Sequence, residues 1–347
     1  MEQNELLEKE KTGHTGPCIN CNHPVVEPGY PTALCEDCRK KFINFPIPVS
    51  IKIFGIGIAL VIVFAMSTAF KNLSAGLHYE KGRNAFHAKK YFTAEHELNI
   101  VSNKIPGFAA ANEYLALASF YNHDMNRFAD VIKGLQGKEV EDEDLFVEIN
   151  GIIEKAANYF PSDSFMVVLN KYGATDSIPE PVLTDYLTHF HDELFPRMRY
   201  ISLLFDKNEY GSCDSLLNEV LAKDATFVNA LALKTSVKRV THQYDSAIYY
   251  CDKLLFLNLE STYAMASKAK TLLRQKKDLE GLKWAKKGVE IDGSDGYALA
   301  TLALAYHYNN NPAERDRLLK QLKKDSVDIG YAQYTLDVMS GKEEFRD

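Results

Sequence analysis

The chain has 347 residues, 46% of them hydrophobic and 25% charged, which is enough for two or three folded units. Its formal net charge of -7 leaves no basic excess, which excludes sequence-independent binding to nucleic acid. Four of the six cysteines fall within 21 residues near the start, which excludes a disulfide framework spread through a folded domain.

Residues 1–16 are polar, lack any aromatic residue and read as a disordered tail. Then come Cys18, Cys21, Cys35 and Cys38, two C-x-x-C pairs with thirteen residues between them. A tetrahedral Zn²⁺ takes four soft ligands, and two residues between cysteines let one tight turn present both sulfurs to a single ion. The alternatives are a redox dithiol pair or a pair of disulfides; two pairs at this spacing favour the metal. His14 and His23 read as exposed polar residues, because four thiolates already complete the shell. Pro24, Pro28, Gly29 and Pro31 suit turns and a hairpin rather than a helix, with Val25 and Val26 as one short strand. On these residues, segment 17–41 is similar to the zinc-ribbon family. It departs from that pattern at Asn22 and Arg39, where a glycine often follows each cysteine pair; Asn tolerates a left-handed backbone better than Arg does. Four protein ligands leave no open coordination position, so the one ion implied is structural, and a unit this small depends on it to fold.

Residues 53–70 form an apolar run of eighteen residues without a charge. At 1.5 Å per residue this spans about 27 Å, close to the hydrocarbon thickness of a bilayer. Lys52 and Lys71 are placed to snorkel at its two ends, so residues 51–71 read as one transmembrane helix. A buried core helix would show a polar face, and a cleaved signal peptide would start earlier with a shorter run. Gly55 and Ala59 form a small-x-x-x-small pair compatible with a homo-oligomer, although such pairs are more often tolerated packing in lipid. Basic residues on the two sides nearly balance, so the thiolates decide the orientation: the N-terminus in the reducing cytosol and the C-terminal domain outside it.

From residue 75 the pattern becomes helices of ten to fifteen residues joined by short polar turns. Asp224, Asn258 and Asp292 are 34 apart and read as N-caps; Tyr263, Tyr297 and Tyr331 repeat with the same step, as do Cys213, Ala247 and Gly281. In residues 75–108 the small and bulky slots are Gly82, Tyr91, Ala94, Leu98 and Val101. With this period and these slots, residues 75–135 and 194–340 resemble the tetratricopeptide repeat family. Residues 140–193 fit as a degenerate helical region, set off by an acidic linker from Glu139 to Asp144. The fold expected is therefore mostly α: a helical-repeat array preceded by a small zinc ribbon and one membrane helix. Residues 296–329, with Arg315 in a small slot, read as the solvent-facing cap of the array.

The resemblance implies a groove lined by the first helix of each repeat, which takes a protein or peptide partner. On that face fall Asn229, Ser236, Arg239, Tyr263, Lys270, Arg274, Tyr297 and His307. Two arginines and a lysine among tyrosines suit a carboxylate or an acidic peptide. The plainer alternative is a solvated helix face, with Tyr263 and Tyr297 packing between repeats. No metalloprotease, nucleophile-elbow, phosphate-loop or dinucleotide motif occurs. His189, His191, Asp192 and Glu193 form the other concentrated set of potential metal ligands. The expectation is a non-catalytic membrane adaptor; the alternative is an accessory subunit of a membrane enzyme or of a secretion or assembly machine.

Overall fold

The computed structural model describes residues 16–43, 47–137, 142–324 and 328–346; within these, residues 68–71 are described by backbone alone. Residues 1–15 with His14, residues 139–141 of the acidic linker and the side chain of Lys71 lie outside the described set. Every regular element among the described residues is a helix. The chain divides into two compact units, residues 1–70 and 71–347.

In the first unit, α1 (Glu36–Ile43) begins directly after Cys35 and carries Cys38. Glu36 and Asp37 open it and Lys40 and Lys41 close it, complementing the helix dipole at both ends. The second cysteine pair is thus a helix entry, not a free turn. Arg39 takes helical geometry there, and only Asn22 adopts the left-handed conformation, at φ 57°. The expected strand at Val25 and Val26 does not form. Two bonds, Ile19 N–H to Ala33 O (3.0 Å) and Glu27 N–H to Leu34 O (2.9 Å), tie the arms together without building a ladder. Helix α2 runs from Val49 to His87 and is long and apolar enough to cross a membrane. Its large apolar side chains from Val49 to Met66 are exposed, among them Ile53, Phe54, Val61 and Phe64.

The second unit is a run of antiparallel helix pairs. The first helices α9 (Leu194–Asp206), α11 (Val228–Val240), α13 (Thr262–Arg274) and α15 (Gly296–Tyr308) start at a step of 34 residues. So do their partners α10 (Tyr210–Lys223), α12 (Tyr244–Leu257), α14 (Asp278–Ile291) and α16 (Pro312–Leu322). Earlier in the chain α3 (Tyr91–Lys104) and α5 (Met125–Leu135) keep the same step, with α4 (Ala109–Tyr121) between them. Between these stretches, off the step, lie α6 (Glu143–Ala156), whose Leu145, Ile149 and Ile152 join the core of α3 and α4, and α7 (Asp163–Tyr172) and α8 (Glu180–His189), packed around Phe165, Ile178, Leu183 and Tyr186.

The turn inside each pair is the same device six times over. Lys89, His123, Asn208, His242, Lys276 and Asn310 have φ between 54° and 67°, each two residues before the second helix starts. The following N–H reaches back five residues, as from Gln243 to Lys238 O (2.8 Å) and from Lys277 to Leu272 O (2.9 Å). This Schellman geometry normally selects glycine. A side chain in the left-handed region costs about 1 kcal/mol or more, while glycine costs less than that in chain entropy. Exposed Lys276→Gly is therefore expected to stabilise the array by about 0.5 kcal/mol, read as a rise in the urea midpoint; a fall would contradict the turn.

Asp224, Asn258 and Asp292 are not N-caps. Each ends a second helix, and its side chain accepts the N–H two residues on, at Thr226 (2.8 Å), Glu260 (2.9 Å) and Ser294 (2.8 Å). The caps of α13 and α15 come three residues later, at Ser261 and Asp295. Nor are residues 296–329 the last, solvent-facing unit. Helix α17 (Ile329–Met339) covers α15, Phe345 stacks on Tyr308 (5.4 Å), and Arg346 binds Asp278 (2.5 Å) and the Leu273 carbonyl (3.2 Å). The buried run Ala298–Ala305 of α15 is therefore interior, not cap.

A seam joins residues far apart in sequence. The Leu259 N–H donates to Lys89 O (2.9 Å), and both oxygens of Glu260 accept from Thr93, at 2.8 Å from N and 2.9 Å from Oγ1. Asn258 donates to Asn122 (3.1 Å), His123 pairs with Asn229 (2.7 Å), and Tyr159 lies 4.4 Å from the Phe227 ring. A cavity of about 660 Å³ opens along the seam, lined by Glu95, Asn99, Arg127 and Tyr263 among others. Burial pushes the Glu95 carboxyl up to about 7, against the hydrogen bond it accepts from Asn122.

Candidate functional site

Two sites stand out, one in each unit. In the first, the sulfurs of Cys18, Cys21, Cys35 and Cys38 all lie within 4.8 Å of one another. Four ligands at about 2.3 Å from a tetrahedral Zn²⁺ sit about 3.8 Å apart, so this set fits such an ion. None of the four is in a disulfide. Backbone N–H groups hold the loop shape, from Cys18 to His23 O (2.8 Å) and from Asn22 to Cys18 O (2.8 Å). Asn20 donates to the Cys38 sulfur (3.3 Å), an outer contact suited to a thiolate. Arg39 buttresses the far side, paired with Glu27 (2.6 Å), donating to Thr32 O (2.8 Å) and lying 3.8 Å over the Tyr30 ring. Cys18, Cys35 and Cys38 are buried with Leu34, and Cys21 is exposed. His23 turns to Val25 rather than to the sulfurs. The arrangement can hold one metal ion.

In the second unit, the first-helix face gathers most of the residues singled out by the period. Tyr263 and Tyr297 stack at 5.5 Å with planes 19° apart, and Tyr331 continues the row at 6.0 Å from Tyr297. Ser236 and Tyr263 share a hydrogen bond (3.4 Å), and the Tyr263 hydroxyl also donates to Ala232 O (3.0 Å). Arg239 is 6% exposed and donates from Nη2 to Ser236 (3.1 Å), while its Nη1 is buried with no hydrogen-bond partner. The Lys270 ammonium lies over Tyr334 (4.2 Å) and Tyr297 (5.6 Å). Arg274 lies over Phe345 (5.1 Å), and its Nε is buried without a partner. Burial first, then the charges of Arg239 and Arg274, hold the Lys270 pKa well below the ordinary lysine range.

Of the other two expected residues, Asn229 lines a cavity with Ser236 and Tyr263 and also pairs with His123 at the seam. His307 has Arg315 and Arg346 as its charged neighbours, and burial followed by those charges lowers its pKa. Tyr331, Tyr334 and Phe345 were missing from the expected set. The 34-residue step from Tyr297 points to Tyr331; nothing periodic marks Tyr334 or Phe345.

The His189–Glu193 segment disperses. His189 contacts Asp185 O (3.0 Å), Asp192 pairs with Lys223, and Glu193 accepts from Ser162 (2.9 Å) and Tyr186 (3.0 Å). Cys213 and Cys251 are buried, and burial pushes their thiols up to about 11 and about 12, so they remain protonated packing groups.

No protein-family model matches the chain, and no curated protein matches it. Among solved structures it is similar to a tetratricopeptide repeat protein from Parabacteroides merdae, at 13% identity and TM-score 0.39, covering 78% of this chain and 94% of that one. It is similar also to yeast Tom70 (13%, TM-score 0.37, 77% and 67%) and to the MamA protein (14%, TM-score 0.34, 51% and 90%). These scores are low, so the helical-repeat architecture rests on the chain's own 34-residue step.

Proposed function

We propose that this chain is a non-catalytic scaffold tethered to a membrane by α2, with a structural Zn²⁺ in the four-cysteine site and a first-helix face that receives an acidic segment of a protein partner. The observation that carries the reading is the charge on that face. Arg239, Lys270 and Arg274 make no ion pair with any described residue, and two of them keep a buried, partnerless nitrogen. Buried donors without acceptors are costly, so an anionic ligand that supplies acceptors there is strongly favoured. The exposed apolar surface of α2 supports residues 51–71 as the lipid-facing span. On this reading the N-terminus and its thiolates lie in the cytosol and the array on the other side.

A photo-crosslinking residue at Tyr331, in full-length protein within native membranes, tests it. One discrete adduct is expected, resistant to carbonate extraction and lost in the double charge reversal Lys270→Glu, Arg274→Glu. Release of the protein into the aqueous fraction would remove the tether; an adduct indifferent to the reversal would remove the groove.

A further inference from the structure

We propose that the pocket around Lys270 is a receptor for a phosphate-type dianion, as inorganic phosphate or as a phosphate monoester on the partner segment. This rests on, and sharpens, the reading of the first-helix face as a binding surface.

The pocket holds about 420 Å³ and is lined by Lys270, Tyr297, Thr301, Tyr331 and Tyr334 with Ala300 and Leu304 of α15 and Gly330 of α17. Three features select the ligand. The first is charge. With Lys270 protonated, three cations from α11 and α13 converge, and Glu343, an exposed carboxylate, is the acid that acts on Lys270. A carboxylate ligand would leave a buried positive charge without an opposite; a dianion would not. The second is donor supply. Behind the cavity lining, acting on Lys270, Arg239 is nine-tenths buried with Nη1 unpartnered and Arg274 has Nε unpartnered, and guanidinium groups match phosphate oxygens as planar forks. A phosphate group carries nearly two charges at neutral pH and three acceptor oxygens, against two oxygens and one charge for a carboxylate. The third is the wall. The Lys270 ammonium lies over the faces of Tyr297 and Tyr334, and the Tyr334 hydroxyl is engaged with Arg274, so the electron-rich ring faces hold the ammonium in place.

The test uses the full-length chain in nanodiscs, titrated calorimetrically at constant ionic strength with inorganic phosphate, acetate, a phosphoserine peptide and the same peptide carrying glutamate. Phosphate is expected to bind at least tenfold tighter than acetate. Lys270→Gln should weaken phosphate tenfold or more; Arg274→Gln should weaken it likewise with helicity unchanged, which covers a failure of buried Arg239→Gln to fold. A further gain for the phosphopeptide assigns the phosphate to a protein, and binding of inorganic phosphate alone assigns it to the free ion. Equal affinity for phosphate and acetate, or phosphate binding indifferent to both variants, overturns the proposal. If the Tyr331 adduct persists in that case, only the ligand class falls; if the adduct is also indifferent to charge reversal, the groove reading falls with it.

Discussion

Cys38→Ser should strip the full-length protein of its metal and leave residues 16–43 open to protease while the helical array melts unchanged. The reason is the size of what remains. Apart from the cysteines, the buried apolar set there is Leu34 with a partly buried Val26 and the edge of Ala33. A core of that size cannot offset the conformational entropy of ordering the loop. A structural zinc site would contribute about 10–16 kcal/mol at neutral pH, so under the proposed assignment the ion, not the core, holds the fold. Elemental analysis should find one zinc per wild-type chain and none in the variant, and chelation should reproduce its cleavage pattern. Full metal content with three cysteines, or a chelated protein as resistant as the untreated one, would contradict the assignment.

The second large effect belongs to Asp214→Ala. Lys234 is 1% exposed, and its ammonium contacts the Asp214 carboxylate (2.9 Å), the Asp214 carbonyl (2.8 Å) and Asn218 (2.7 Å). Lys238 shares the same carboxylate at 2.9 Å. Removing the acid leaves a buried ammonium without its counter-charge, at a cost of about 3 kcal/mol. Lys234→Met replaces the charge by an apolar side chain of similar length and should cost much less. The carboxylate has a sign in pH as well. Burial raises the Asp214 pKa, but the contacts with Lys234 and Lys238 outweigh it and the net value is lowered. Its contribution is thus present above the unfolded value of about 3.9 and is lost as pH falls through the lower folded value. Urea denaturation should show the gap between wild type and Asp214→Ala wide at pH 7 and narrowing below pH of about 4. A gap of the same width in acid would assign the loss to packing.

Local chemistry is what reads directly from residues. The cysteine spacing reports a site whose ligands are near neighbours in sequence, and the 34-residue step reports helix pairs whose packing slots recur: Ala94, Cys213 and Ala247 are all fully buried. The misreadings have local causes too. Asp224, Asn258 and Asp292 carry a side chain that serves a cap or a turn equally well, and only the backbone decides which. The left-handed turns escaped notice because their usual signal is glycine and this chain uses Lys, His and Asn instead. In the ribbon, Glu36 and Asp37 ahead of Lys40 and Lys41 were a helix signal masked by the prolines before them. Of the candidate groove, the row Tyr263, Tyr297 and the trio Arg239, Lys270, Arg274 lay on the predicted face. Phe345 and Tyr334, which complete it, come from outside the repeat pattern and leave no periodic trace. The seam is the least legible part, since Thr93 and Glu260 are 167 positions apart and no pattern couples them.

That seam alters how the stack responds to stress. In an ordinary solenoid each module leans only on its immediate neighbours, so ends fray one module at a time. Here Glu260 grips Thr93 across nine intervening α-helices among the described residues, and Lys89 is latched to Leu259. An early module cannot peel away without releasing the α12–α13 junction, which couples the melting of the two and makes the stretch between them a closed loop in the energetic sense.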